Sequence, residues 1–107
     1  HFLQHCRERL AAPGILMANH WCSEFRDSQR VQAAMREVFG EQVLHLQVEG
    51  GNTIAFGFNG ELPRLHPKPF YHQAQALGMA LDIPLQKLAR SFWRQNAAPL
   101  RVGRFAR

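Results

Sequence analysis

The chain has 107 residues, of which 46% are hydrophobic and 20% charged, and its formal net charge is +5. This length supports one domain at most, and the composition is that of an ordinary globular protein. No apolar run approaches the roughly 20 residues that a membrane-spanning helix needs, so a membrane-spanning role is not expected.

The termini and cysteines bear on processing and location. The N-terminus lacks the basic and apolar stretches of a secretory signal peptide and begins with His1, so we expect either processing or truncation. Two cysteines, Cys6 and Cys22, are too few for a disulfide framework. They favour a reducing, cytoplasmic compartment.

The first part of the chain predicts an α/β sheet with flanking helices. The apolar run at 15–18 favours a strand covered on both faces, as in a parallel sheet. Asp27 or Ser28 is predicted to cap the next helix, which Gly40 ends. The predicted elements are a short helix ending at Pro13, strands at 15–21, 43–48 and 53–58, and a helix before Gly40.

The sequence "EGGN" at 49–52 predicts a tight turn, after which the last strand returns antiparallel. Small residues alternate along that strand at Thr53, Ala55 and Gly57. We therefore expect another element to pack closely against this face.

The rest of the chain predicts an appended helical hairpin and a tail. Apolar spacing indicates one helix from Phe70 to Leu81 and a second that Asp82 caps, with Pro84 in its first turn. Residues 96–107 show no period and are expected to form a mobile basic tail. The predicted divisions are 1–58 for the sheet, 59–95 for the hairpin and 96–107 for the tail.

The positive charge lies in the second half, where residues 59–107 hold eight Lys or Arg and two Asp or Glu. Such a surface suits a polyanion. The signatures of nucleic-acid modules are absent, so a nucleic-acid partner is not the main expectation.

Three kinds of chemical site are considered and not favoured. The histidine pairs His1/His5 and His66/His72 lack a third ligand, so no metal site is predicted. Cys22 and His20 share a strand face and could form a nucleophilic pair, although packing explains Cys22 as well. The "EGGN" turn joins two strands and opens no helix, which disfavours a phosphate-binding loop.

The strongest local candidate is the polar segment 19–24, which follows the first strand. In an open parallel sheet, ligands bind beyond the carboxyl ends of the strands. Residues Asn19, His20, Trp21 and Glu24 are therefore the predicted substrate-binding positions, and no catalytic residue is assigned.

The run from Cys6 to Phe58 resembles the C-terminal half of the catalytic domain of spermidine synthase-like proteins. The shared features are a helix with a cysteine, a glycine before a buried strand, Asn-x-Trp at its end, "REVF" ending a helix, and Gly-Asn before the last strand. The family's tyrosine-bearing acceptor stretch is replaced here by "LQVE" at 46–49.

The resemblance implies a partial Rossmann-like methyltransferase fold: a three-stranded mixed sheet with flanking helices and the C-terminal helical hairpin. Strands 15–21, 43–48 and 53–58 then correspond to the fifth, sixth and seventh strands, with the seventh between the other two. True synthases transfer an aminopropyl group from decarboxylated S-adenosylmethionine to a polyamine.

The family's donor-binding loop and catalytic aspartates precede the matched segment, so the resemblance implies that this chain is inactive alone. It also implies that the intact family member uses decarboxylated S-adenosylmethionine or S-adenosylmethionine, and that this chain alone binds neither. Two alternatives stay open: an assembly module that forms a homo-oligomer through the uncovered edge of strand 15–21, and a weak binder of RNA or another polyanion.

Overall fold

The computed structural model describes residues 2–22 and 24–105, with side chains described as far as Leu100. The chain forms two compact units, the sheet unit His1–Leu62 and the helical unit Pro63–Arg107.

The fold class is α/β. The elements in chain order are α1 (Phe2–Arg9), β1 (Gly14–Trp21), α2 (Phe25–Phe39), β2 (Val43–Gln47), β3 (Asn52–Asn59), α3 (Pro67–Leu81) and α4 (Leu85–Phe105). Within these ranges, no helix combines enough length and apolar character to cross a membrane.

The sheet has three strands in the order β1-β3-β2, so the last strand lies between the first two, as predicted. β3 runs antiparallel to both neighbours, and its residue Phe56 is paired with Met17 on one side and Leu44 on the other. The prediction of a mixed sheet is wrong, because every pair of neighbouring strands is antiparallel. β1 and β2 run in the same direction but are separated by β3.

One face of the sheet is covered by α2, as the small residues of β3 predicted. Met35, Val38 and Phe39 of α2 form a buried cluster with Ala55 of β3. Partly buried apolar residues pack around this cluster: Leu3, Leu10, Leu16, Val31 and Val43. The guanidinium of Arg7 lies 5.7 Å from the centre of the Phe39 ring and donates a hydrogen bond to the Val38 carbonyl, which fixes α1 against the end of α2.

The opposite face of β1 is open. Burial alternates along the strand, and the outward side chains Ile15, Met17 and Trp21 are 56%, 64% and 70% exposed. The prediction that this strand is covered on both faces is therefore wrong. β1 is also an edge strand of the sheet in the described part of the chain. Its continuous apolar run leaves both a free edge and a free face.

The N-terminus of α2 differs from the prediction. Glu24, rather than Asp27 or Ser28, occupies the cap position, and its side chain makes no capping hydrogen bond. Ser28 lies one turn inside the helix and is buried. The C-terminus agrees with the prediction, since Gly40 ends the helix with φ 64°, a conformation that favours glycine.

In the helical unit, α3 and α4 pack together as the predicted hairpin. The rings of Phe70 and Phe92 lie 5.9 Å apart between centroids. Asp82, predicted to cap the second helix, instead ends α3 with φ 58° and ψ 47°. The connection is short, and the Ile83 N–H donates back to the Gly78 carbonyl at 2.9 Å, so Asp82 belongs to the end of the preceding helix.

The prediction of an aperiodic tail from residue 96 is wrong over 96–105, which are helical as part of α4. Asn96 has non-helical backbone angles (φ −118°, ψ 17°) and Pro99 follows within the helix. Proline cannot donate a backbone hydrogen bond and its ring displaces the preceding turn, so the helix bends here. Residues 106–107 lie outside the described part of the chain.

Candidate functional site

A pocket of about 200 Å³ lies where β1 and β2 end and α2 begins. β1 and β2 run in the same direction, so both deliver the residues that follow them to the same end of the sheet. The pocket is lined by Cys22, Glu24, Phe25, Ser28, Gln47, Val48, Gly51, Asn52 and Thr53. Most of the side chains that can contact a ligand here are polar.

The hydroxyl of Ser28 organises the wall of this pocket. Its Oγ accepts hydrogen bonds from Gln47 Nε2 at 2.6 Å and Gln32 Nε2 at 3.2 Å. Thr53 Oγ1 lies at 3.2 Å from the same oxygen. Ser28 and Thr53 are almost wholly buried. These contacts fasten the first turns of α2 to β2 and β3, so the wall has a fixed shape.

The turn between β2 and β3 forms the other side of the pocket. The Cys22 N–H donates to the Gly51 carbonyl at 2.6 Å, which ties the end of β1 to this turn. Gly51 has φ 105°, and a Cβ there would lie 3.2 Å from the Trp21 ring. Glycine is therefore required by the backbone, and any side chain here would also press against the Trp21 ring.

The four predicted substrate-binding residues lie at this end of β1 but do not all face the pocket. Glu24 lines it, with an exposed carboxylate 3.1 Å from the Arg26 guanidinium. Trp21 is not among the lining residues: it lies on the open face of β1, with its ring beside Gly51 of the turn. Asn19 lies on the open face of the sheet, where its Oδ1 accepts from Asn52 Nδ2 at 2.9 Å. His20 points to the opposite, half-buried face.

Of the two residues considered as a nucleophilic pair, Cys22 and His20, one lines this pocket. Cys22 lines it as a buried free thiol, whereas His20 is not among its lining residues. His20 and Cys22 both follow the inward alternation of the strand, and the pocket is lined by the thiol without the imidazole. Ser23, which lies between these candidates and Glu24, falls outside the described residues.

Gln47 and Thr53 were not predicted as site residues from the sequence, and Ser28 was predicted only as a helix cap. Gln47 and Thr53 are partners in the register of β2 and β3, so their side chains emerge on one face. The sequence contained one indication that Thr53 belongs to a site: it is the polar member of the alternating small residues on β3. A hydroxyl on a covered face requires hydrogen-bond partners.

One histidine near the site has a perturbed pKa. His45 lies on β2, two residues before Gln47 and on the same face. Burial lowers the pKa of His45, and the nearby positive charge of Arg36 lowers it further. Its imidazole is therefore favoured in the neutral form.

The turns beside the pocket differ from the glycine-rich loop that binds phosphates at a helix N-terminus. Gly50 and Gly51 form a turn between two strands, as predicted, and α2 begins directly at Phe25 without a glycine-rich lead. A helix N-terminus combined with such a lead is what cradles phosphates and adenosyl donors in doubly wound folds. Among the described residues, no group of three His, Cys, Asp or Glu side chains is placed to share a metal ion.

No protein-family model, curated protein or solved structure matches this chain.

Proposed function

We propose that this chain forms the C-terminal part of the catalytic domain of a spermidine synthase-like transferase and is inactive alone. The observation that carries the proposal is the strand order. β1 and β2 run in the same direction with β3 reversed between them. The resemblance assigns this arrangement to the fifth, sixth and seventh strands of a Rossmann-like methyltransferase fold. The free outer edge of β1 is where the remainder of such a sheet would pair.

The pocket at the end of β1 is the proposed contact region for a polyamine acceptor. Glu24 has an exposed carboxylate that would exchange its equally exposed partner Arg26 for an ammonium group, and Trp21 offers an aromatic face at 70% exposure. Carboxylates and aromatic rings are the side chains that attract alkylammonium ions. Asn19 and His20 flank this position on the two faces of β1.

Inactivity of the isolated chain follows from what aminopropyl transfer requires. The donor carbon and acceptor nitrogen must be held in line, and the attacking amine must be unprotonated. The described residues hold no donor-binding turn, and no carboxylate there is buried beside the pocket as a base.

The two unpaired cysteines support a cytoplasmic location for the parent protein.

Two measurements test this proposal. The chain is first incubated with decarboxylated S-adenosylmethionine and either putrescine or spermidine, and products are measured by mass spectrometry. No product is expected, and turnover would contradict the proposed inactivity. Spermidine binding is then measured by calorimetry for the wild type and for Glu24→Gln.

An exposed charge pair contributes up to about 1 kcal/mol, so Glu24→Gln should weaken spermidine binding by roughly fivefold or less. Glu41→Gln is the matched control, because it removes another exposed carboxylate after α2, away from the pocket. Absence of spermidine binding, or equal weakening by both variants, would contradict the acceptor-binding proposal.

The open edge of β1 favours a second candidate function, an assembly module. β1 is eight residues long and contains no charged residue and no proline, the features that usually block pairing at sheet edges. Its exposed apolar side chains add a surface that a second copy of this chain would cover. In this alternative, two chains pair through β1 to form a homo-oligomer.

A further inference from the structure

The helical unit carries charge of nearly one sign. Residues 63–107 include eight Lys or Arg side chains and a single acidic side chain, Asp82. α3 and α4 themselves contain no Asp or Glu. An ordinary solvent-exposed helix contains both acidic and basic side chains, which form ion pairs one turn apart. Neither helix can do so here.

Three of these cations form a basic stripe on α4, defined as Lys87, Arg90 and Arg94. Successive spacings of three and four residues place them on one side of the helix, over about 10 Å of its length. All three side chains are exposed. The stripe lies away from the helix face that buries Ala89 and Trp93.

The neighbouring helix extends this surface. The Arg90 guanidinium lies 5.8 Å from the centre of the Tyr71 ring, so the exposed side of α4 is continuous with α3 at this point. Lys68 precedes Tyr71 by three residues, which places it one turn away on the same side of α3. Lys68 is also exposed and supplies a fourth cation.

We propose that the basic stripe, together with Lys68, binds the phosphate backbone of a nucleic-acid strand without sequence preference. Several cations without carboxylates among them match a polyanion that presents a row of charges. The Tyr71 ring already contacts the Arg90 guanidinium, so the proposal assigns the binding to phosphate contacts and not to base stacking. An amphipathic helix enters a membrane surface through exposed large hydrophobic side chains. Residues 85–100 of α4 expose none.

The test uses fluorescence anisotropy with a fluorescein-labelled 20-nucleotide single-stranded RNA. Three or four phosphate contacts predict a loss of affinity of roughly 20- to 50-fold between 50 and 200 mM salt. The triple variant Lys87→Gln, Arg90→Gln, Arg94→Gln should bind at least tenfold more weakly at 50 mM salt and lose most of this salt dependence. A second RNA of different base sequence should bind equally well.

The matched control is Arg9→Gln, Arg30→Gln, Arg36→Gln, which removes the same charge from exposed positions of the sheet unit. This control should keep most of the binding and its salt dependence. Because Arg90 contacts Tyr71, the double variant Lys87→Gln, Arg94→Gln checks the result with that contact intact, and circular dichroism checks folding. Equal weakening by both triple variants, or tighter binding to phosphatidylserine vesicles than to RNA, would overturn the proposal.

Discussion

Phe39 lies so close to Gly57 that a Cβ on Gly57 would come within 2.5 Å of the aromatic ring. This contact joins the end of α2 to the middle strand of the sheet, and it belongs to the packing around Met35, Val38 and Ala55. The absence of a side chain at position 57 is therefore a packing requirement rather than a turn requirement.

Gly57→Ala should lower the free energy of unfolding by about 1–3 kcal/mol, because the added methyl group overpacks a close contact. Urea unfolding followed by circular dichroism measures this change. In combination with Phe39→Leu, which removes part of the ring, the cost of Gly57→Ala should shrink. If the losses of unfolding free energy in the two single variants add up to that of the double variant, the close contact between Phe39 and position 57 would be contradicted.

Ser28→Ala should destabilise the wall of the pocket. The substitution removes the oxygen that Gln47, Gln32 and Thr53 all contact, inside a buried site. We expect a loss of about 1–3 kcal/mol in urea unfolding, since the buried Thr53 hydroxyl and the two glutamine amides lose their acceptor.

Ser91→Ala is the control for that substitution. The Ser91 hydroxyl is half-buried in α4 and accepts one hydrogen bond from Gln95 Nε2 at 2.9 Å. Its loss should cost about 1 kcal/mol or less. A cost at Ser28 no greater than that at Ser91 would contradict the organising role assigned to Ser28.

Stability should fall in mild acid through His45. Its pKa is lowered by burial and by Arg36 from the ordinary value of 6.5, so the unfolded chain takes up this proton first. The His45 contribution is fully present above pH 6.5, is lost as the pH falls from there to the folded pKa, and is constant below it.

The measurement is urea unfolding between pH 5 and 7.5 for the wild type and His45→Gln. The wild type should lose more free energy of unfolding than the variant over this range, whatever their difference at pH 7.5. Arg36→Gln should raise the pKa of His45, which an NMR titration of the imidazole measures. A wild-type pH dependence equal to that of His45→Gln would contradict the assignment.

Self-association through β1, the second candidate function, predicts a specific effect of charge on its open face. Met17 is 64% exposed on the open face of β1, so Met17→Lys places a cation there and should abolish any dimer seen by sedimentation at high micromolar concentration. Met79→Lys is the control, because Met79 is 78% exposed on α3. A strictly monomeric wild type would remove this candidate.

Much of the fold could be predicted from periodicity and turn chemistry. The positions of the three strands, the close packing at Gly57 and the end of α2 at Gly40 all follow from local pattern. The prediction that the strand at 15–18 is covered on both faces was wrong, because four consecutive apolar residues do not reveal how many faces are covered. That depends on which elements pack against it, and α1 and α2 cover only one face.

The cap positions and the tail could not be read from composition. Asp27, Ser28 and Asp82 are all residues that favour helix caps, but tertiary contacts decide which of them caps a helix. Ser28 is held inward by Gln47, and Asp82 adopts a left-handed conformation at the end of α3. Over 96–105, Pro99 concealed the helix because it interrupts the apolar spacing.

From the sequence alone, the candidate site could be assigned to the carboxyl end of β1 but not to particular side chains of the neighbouring strands. The sequence placed Asn19, His20, Trp21 and Glu24 at the carboxyl end of β1, but strand alternation sends Asn19 and His20 to opposite faces. The partners from β2 and β3 could not be assigned without the register, which brings Gln47 opposite Thr53.

The most direct test of the central claim, that the end of β1 is an acceptor-binding region, is an NMR titration of ¹⁵N-labelled chain with spermidine. We expect the chemical-shift changes to concentrate at the Trp21 indole and the amides of Glu24, Ser28, Gly51 and Thr53. Glu24→Gln should reduce these changes, while Glu41→Gln should not. Shift changes distributed over exposed carboxylates throughout the chain, or none at these five positions, would contradict this claim.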